Sequence, residues 1–159
     1  MFLWFIATSV LTIFFVFRDP RFDYRPLVVG ALVSDLIDVG FGGARVLHSL
    51  TGAVVMLVVV MLATIGRRAR RKVLLAVPIG VLLHLVFDGA FASTEVFWWP
   101  FTGGFGDAPL PVVARSMWVN GVLELAGAAM LWWSVGAFGL RDPVRRRRLI
   151  QLGELTQVA

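Results

Sequence analysis

Cysteine is absent from the 159 residues, which excludes a disulfide framework, a thiol nucleophile and a thiolate metal site. Charge is scarce too. Asp, Glu, Lys and Arg make up 16% of the chain, against about 25% in an ordinary soluble domain. So few charges cannot coat a water-facing surface, and the composition argues against a soluble globular domain, a disordered chain or a collagen-like fibre. No period-two alternation of a barrel runs along the chain. No G-x-S-x-G elbow is present. The glycine-rich pieces GFGGA and TGGFGD lead into no GK[ST], so they read as turns rather than phosphate loops. Low-complexity tracts and internal repeats are missing as well.

What is there is apolar. Hydrophobic residues are 58% of the chain, mean hydropathy is +0.84, and the length suits one domain. Apolar runs cover residues 1–17, 26–44, 46–65, 73–91 and 112–140. The first has no basic leader and no A-x-A-like cleavage site, so it reads as retained. Together the runs predict an all-α, polytopic transmembrane bundle of about five spans. The second run, 26–44, carries Asp35 and Asp38 and is the one that either crosses or re-enters. The expected domain is a single transmembrane unit, 1–159, with a basic cytoplasmic tail at 141–159.

Every basic residue except Arg45 and Arg115 lies after the first, third or fifth run. Threading five spans puts these three groups on one side, and the positive-inside rule makes that side cytoplasmic. The expected location is the plasma (inner) membrane, with the N-terminus outside and the C-terminus inside. The runs RRARRK and RRRR then face lipid headgroups, and no nucleic-acid partner is expected.

This topology gathers the remaining polar residues at the opposite end. Asp38 and Asp35 lie about 9 and 14 Å below the end of the second run. His48 opens the third, His84 and Asp88 close the fourth, and Asn120 and Glu124 enter the fifth. The pairs Asp35/Asp38, His84/Asp88 and Asn120/Glu124 have helical i, i+3 or i, i+4 spacing. Two imidazoles among several carboxylates suit a divalent cation, zinc or manganese. Arg45 and Arg115 suit an anionic group. Each residue also has a plain structural use: Asp88 orienting His84, an aspartate pairing Arg45, Glu124 pairing Arg115. Glu95 and Asp107 read as solvated loop acids, and Phe97-Trp98-Trp99-Pro100-Phe101 as an interfacial aromatic belt.

The segments GALVSDLID, ARVLHSLTG and GVLLHLVFDGAF, followed by FWWPF, resemble the bacterial family of predicted membrane-bound metal-dependent hydrolases that includes LexA-regulated inner-membrane proteins. Asp35 or Asp38 matches its acidic motif, Arg45 with His48-Ser49-Leu50 its second motif, His84 and Asp88 its third, and Trp99-Pro100 its Trp-Pro. Ser34 stands where the family has proline, and Ala44 where it has a histidine before the arginine. The resemblance implies a metal-dependent hydrolase, and the topology puts its site at the extracytoplasmic leaflet. Its metal ligands would be His48, His84, Asp88 and an aspartate assigned as Asp38, with Asp35, Glu124 and Arg45 serving catalysis. That location makes a lipid or lipid-linked phosphoester the expected substrate, with membrane lipids as partners and an oligomer compatible. The alternative is a non-catalytic membrane scaffold or partner subunit with a structural polar cluster.

Overall fold

The computed structural model describes residues 1–105 and 109–156. Asp107 and the last three residues of the tail lie outside them. Every regular element among the described residues is helical: α1 (Phe2–Phe17), α2 (Tyr24–Gly40), α3 (Leu50–Ala63), α4 (Arg68–Leu74), α5 (Ala76–Phe87), α6 (Thr94–Phe97), α7 (Pro111–Ala114), α8 (Met117–Ala137) and α9 (Pro143–Leu152). Short 3-10 turns at Val46–His48 and Ala90–Ala92 precede α3 and α6.

Side-chain caps set several of the boundaries. Asp23 accepts from the Arg25 amide at 3.0 Å and opens α2. Ser49 Oγ accepts from Gly52 N at 3.0 Å and opens α3. Asp142, with Pro143 behind it, opens α9. Each satisfies amides that a helix start leaves unpaired. Just past α5, Gly89 takes the left-handed conformation, φ 68°, which glycine enters without penalty.

The bundle is organised on the α2–α5 pair. Gly30 of α2 faces the Val77 backbone, and Gly80 of α5 faces the backbone of Leu27, Gly30 and Ala31. With no Cβ at either glycine the two helices approach backbone to backbone. α1 packs across both and also lies along α8, while α3 covers the other side of α5. Val10, Ile13, Tyr24, Leu27 and Phe138 form the core toward one end, and Ala53, Val81, Leu85 and Ala90 toward the other. Lys72 pairs with Asp19 at 2.8 Å and ties α4 to the α1–α2 turn.

Among the described residues, no helix is long and apolar enough to cross a membrane. This overturns the five-span transmembrane bundle and, with it, the multi-pass plasma-membrane location and its sidedness. The cause is local chemistry that hydropathy does not register. The Ser49 cap cuts α3 to 14 residues and leaves His48 outside it. Leu75 keeps the αR conformation, but Pro78 has no N–H to give the Leu74 carbonyl, and α4 gives way there to the 12 residues of α5. At 1.5 Å per residue these helices reach about 21 and 18 Å, short of a hydrocarbon core of about 30 Å. α8 has 21 residues, but Asn120 and Glu124 dilute it. Asp35 and Asp38 do the same to α2. Large apolar side chains, including Leu36, Leu125, Trp118 and Trp132, are nevertheless exposed on the outward helix faces. In the segment read as an aromatic belt, Trp99 stacks on Phe105 with centroids 4.7 Å apart, and Val96 just before it is buried.

Candidate metal centre

His48 lies on the 3-10 turn before α3, and its side chain is 1% exposed. Its Nδ1 is 2.7 Å from Asp38 Oδ2 at the end of α2. The same oxygen accepts from the Arg45 amide at 2.8 Å. One carboxylate thus folds the 41–48 segment back onto α2 and orients the ring. His84 projects from α5, fully buried, with Nδ1 2.8 Å from the Ala31 carbonyl oxygen. The Phe5 ring backs it at a centroid distance of 4.1 Å. A carboxylate and a carbonyl can only accept, so both Nδ1 atoms carry hydrogen. The free ring nitrogens are therefore the Nε2 atoms.

Both Nε2 atoms converge on one carboxylate oxygen. Asp35 Oδ1 is 3.3 Å from His48 Nε2 and 3.4 Å from His84 Nε2. Among the described residues, neither nitrogen has a hydrogen-bond partner. These separations are longer than the usual N–H···O range of 2.7–3.2 Å. They equal the edge of a tetrahedral site, where donors about 2.0–2.1 Å from a zinc lie about 3.3–3.4 Å apart. Asp35, His48 and His84 can hold a metal ion. Beside them, Asp88 Oδ2 is buried without a hydrogen-bond partner, 3.9 Å from His48 Nε2. The other Asp88 oxygen accepts from Arg115 Nη2 at 2.9 Å, and the Asp88 carbonyl accepts from the same nitrogen.

The electrostatics follow from this crowding. Burial opposes a charged His48 ring, but the Asp35 carboxylate beside Nε2 and the hydrogen bond from Nδ1 to Asp38 outweigh it and push the imidazole up to about 9. For Asp35, burial raises the carboxyl, and the two imidazoles outweigh it and hold it well below the usual range. Asp88 is pushed upward, chiefly by burial. With neutral rings, three carboxylates, Asp35, Asp38 and Asp88, gather round the two imidazoles, a density of negative charge that suits a divalent cation.

Of the expected site residues, Asp35, His48, His84 and Asp88 come together. The two aspartates of α2 exchange roles: Asp35, expected as a catalytic acid, faces both imidazoles, whereas Asp38, expected as a ligand, orients His48 from behind. Arg45 enters through its main-chain amide. Glu124 is not at the centre. Its carboxylate accepts from the amides of Leu3 and Trp4 at 3.1 and 3.4 Å, at the start of α1. Asn120 donates to the Val112 carbonyl at 2.6 Å. The Ala31 carbonyl escaped sequence reasoning because a backbone acceptor leaves no residue-type signature, and Phe5 was one apolar residue among many. Comparison with protein-family models, with curated proteins and with solved structures finds no match for this chain.

Proposed function

We propose that the chain is a metal-dependent hydrolase in which Asp35, His48 and His84 hold one divalent cation, zinc or manganese, with Asp88 beside them. The observation that carries the reading is the convergence of two buried, unpartnered Nε2 atoms on Asp35 Oδ1 at tetrahedral-edge distances. Nitrogen and oxygen donors at that spacing favour zinc. Such a cation lowers the pKa of a bound water toward 7 and polarises a scissile bond. The chain's own residues then have separate tasks. Asp38 and the Ala31 carbonyl hold each imidazole in the tautomer that presents Nε2, as second partners of metal-bound histidines do. Asp88, shifted upward by burial, holds or accepts a proton beside His48.

Elemental analysis of the purified protein tests the metal, with one zinc per chain expected in the wild type and none in His48→Ala and His84→Ala. Equal, substoichiometric metal in all three would end the proposal. Hydrolysis of chromogenic phosphoesters, lost on chelation and restored by zinc, tests the reaction. A zinc-replete protein inactive on all of them would remove the hydrolase and leave the metal.

One observation favours a second reading, a non-catalytic cluster that fastens the helix ends. The cavity that His48 lines with Ala44, Ala90, Ser93 and Pro111 is about 10 Å³, room for roughly one water. On that reading, chelation lowers the melting temperature and no substrate is turned over.

A further inference from the structure

Arg115 stands at the start of α8 with an incomplete set of partners. A guanidinium carries five donors in a planar fork. Both of the Arg115 acceptors, the Asp88 carbonyl and Asp88 Oδ1, fall on one nitrogen, Nη2. The other terminal nitrogen, Nη1, is buried and has no hydrogen-bond partner among the described residues, although the side chain as a whole keeps 24% exposure. A single carboxylate separates it from the histidines: Oδ1 of Asp88 takes the arginine, and Oδ2 points to within 3.9 Å of His48 Nε2.

Asp88 has a free oxygen, yet the fork does not close on it bidentately, and Nη1 is left without a partner among the described residues. A buried charged donor left unmet is unfavourable. Such an arrangement makes sense when a ligand supplies the missing acceptor, and a guanidinium matches oxyanions in planar, two-point fashion.

We propose that Arg115 Nη1 and the adjacent cation site together form an oxyanion subsite, and that the substrate of the centre carries a phosphoryl group there. The proposal rests on the metal reading above. A phosphoryl group carries several oxygens, so one can face the cation and another Nη1, and seating it requires the cavity of about 10 Å³ beside His48 to widen. Hydrolysis of a phosphomonoester by water yields an alcohol and inorganic phosphate, so inorganic phosphate is both product and probe.

Titration calorimetry of zinc-loaded protein with inorganic phosphate tests the subsite, with zinc content measured on the same samples. Wild-type protein is expected to bind phosphate, and Arg115→Met to bind it about tenfold or more weakly with its zinc retained. Arg115→Lys keeps the charge but loses the fork, and is expected to fall between them. If Arg115→Met does not fold or does not hold zinc, Arg115→Lys decides by the same comparison. Zinc-replete wild type that ignores phosphate, or equal affinity in wild type and variant, overturns the subsite and leaves the metal reading standing. Wild-type protein that takes up no zinc overturns both. Acetate in place of phosphate separates a general carboxylate-binding site, which would bind both alike and overturn the phosphoryl assignment.

Discussion

The rings of His48 and His84 meet edge to face, 83° apart with centroids separated by 5.3 Å. Stacked rings would point their nitrogens away from one another. Here each Nδ1 is tied to an acceptor behind it, so the two Nε2 atoms turn toward a common point. That point is reached from two different helix ends, α5 and the entry to α3, while α2 supplies the carboxylate. The centre therefore depends on how three separate segments are fastened.

Asp38 is the fastening that sequence reasoning placed in the wrong role. Asp38→Ala removes Oδ2, the one acceptor that both His48 Nδ1–H and the Arg45 amide use. The expected result is a folded protein whose zinc affinity falls roughly 10- to 100-fold, the usual effect of losing a histidine's second partner. Competition with a chromogenic chelator measures it. An unchanged affinity would show that the ring needs no carboxylate behind it.

The α2–α5 seam gives a second prediction. A Cβ at Gly80 would meet backbone atoms of Leu27, Gly30 and Ala31, and backbone cannot rotate away. Gly80→Ala therefore forces α2 from α5. Overpacking of this kind destabilises by about 1–3 kcal/mol. It also moves Asp35 and the Ala31 carbonyl, both on α2, relative to His84 on α5, so zinc binding should weaken with stability. Gly121, which has open space around it, is the control. Gly121→Ala should leave metal binding unchanged, and thermal melts with and without zinc compare the two.

The residues of the centre were legible to the extent that they lie at the ends of their helices. Helical spacing put His84 near Asp88, but it was the five-span threading, which the structure overturns, that grouped both with His48. The choice between Asp35 and Asp38 was not legible. It depends on the rotation of α2 about its axis, which the Gly30 and Gly80 contacts determine and spacing alone does not. The membrane reading failed for a related reason. Hydropathy sums side chains along a run, whereas Ser49 ends one helix and starts another through a single hydrogen bond. Glu124 was misplaced because its partners are two backbone amides of α1, and main-chain donors are the same at every residue.

Those two amides make Glu124 a structural residue. Leu3 and Trp4 lie in the first turn of α1, where amides lack helical partners, and Met1 offers no side-chain cap. A carboxylate there also faces the positive end of the helix dipole. Glu124→Ala should cost about 1 kcal/mol of stability, while zinc stoichiometry and any hydrolytic activity stay at wild-type levels. Chemical denaturation gives the first quantity and elemental analysis the second. Loss of zinc on this change would return Glu124 to the centre.

The proton on His48 links metal binding to pH. The ring's ordinary value is 6.5, and in the fold it is pushed up to about 9 despite burial, because Asp35 and Asp38 favour the charged form. A raised value means that the metal-free fold gains stability from the charged ring. That gain is fully present below about pH 6.5 and is lost as pH rises through about 9. Zinc needs the same nitrogen without its proton, so its binding must expel that proton, and its apparent affinity must rise across the same window. The two effects have opposite signs. Between about pH 6.5 and 9 the melting temperature of metal-free protein should fall, while the increment produced by zinc should grow. Scanning calorimetry on chelated and zinc-loaded samples measures both, and His48→Gln should flatten both. A zinc increment independent of pH would mean that His48 Nε2 gives up no proton to the metal, and would remove it from the ligand set.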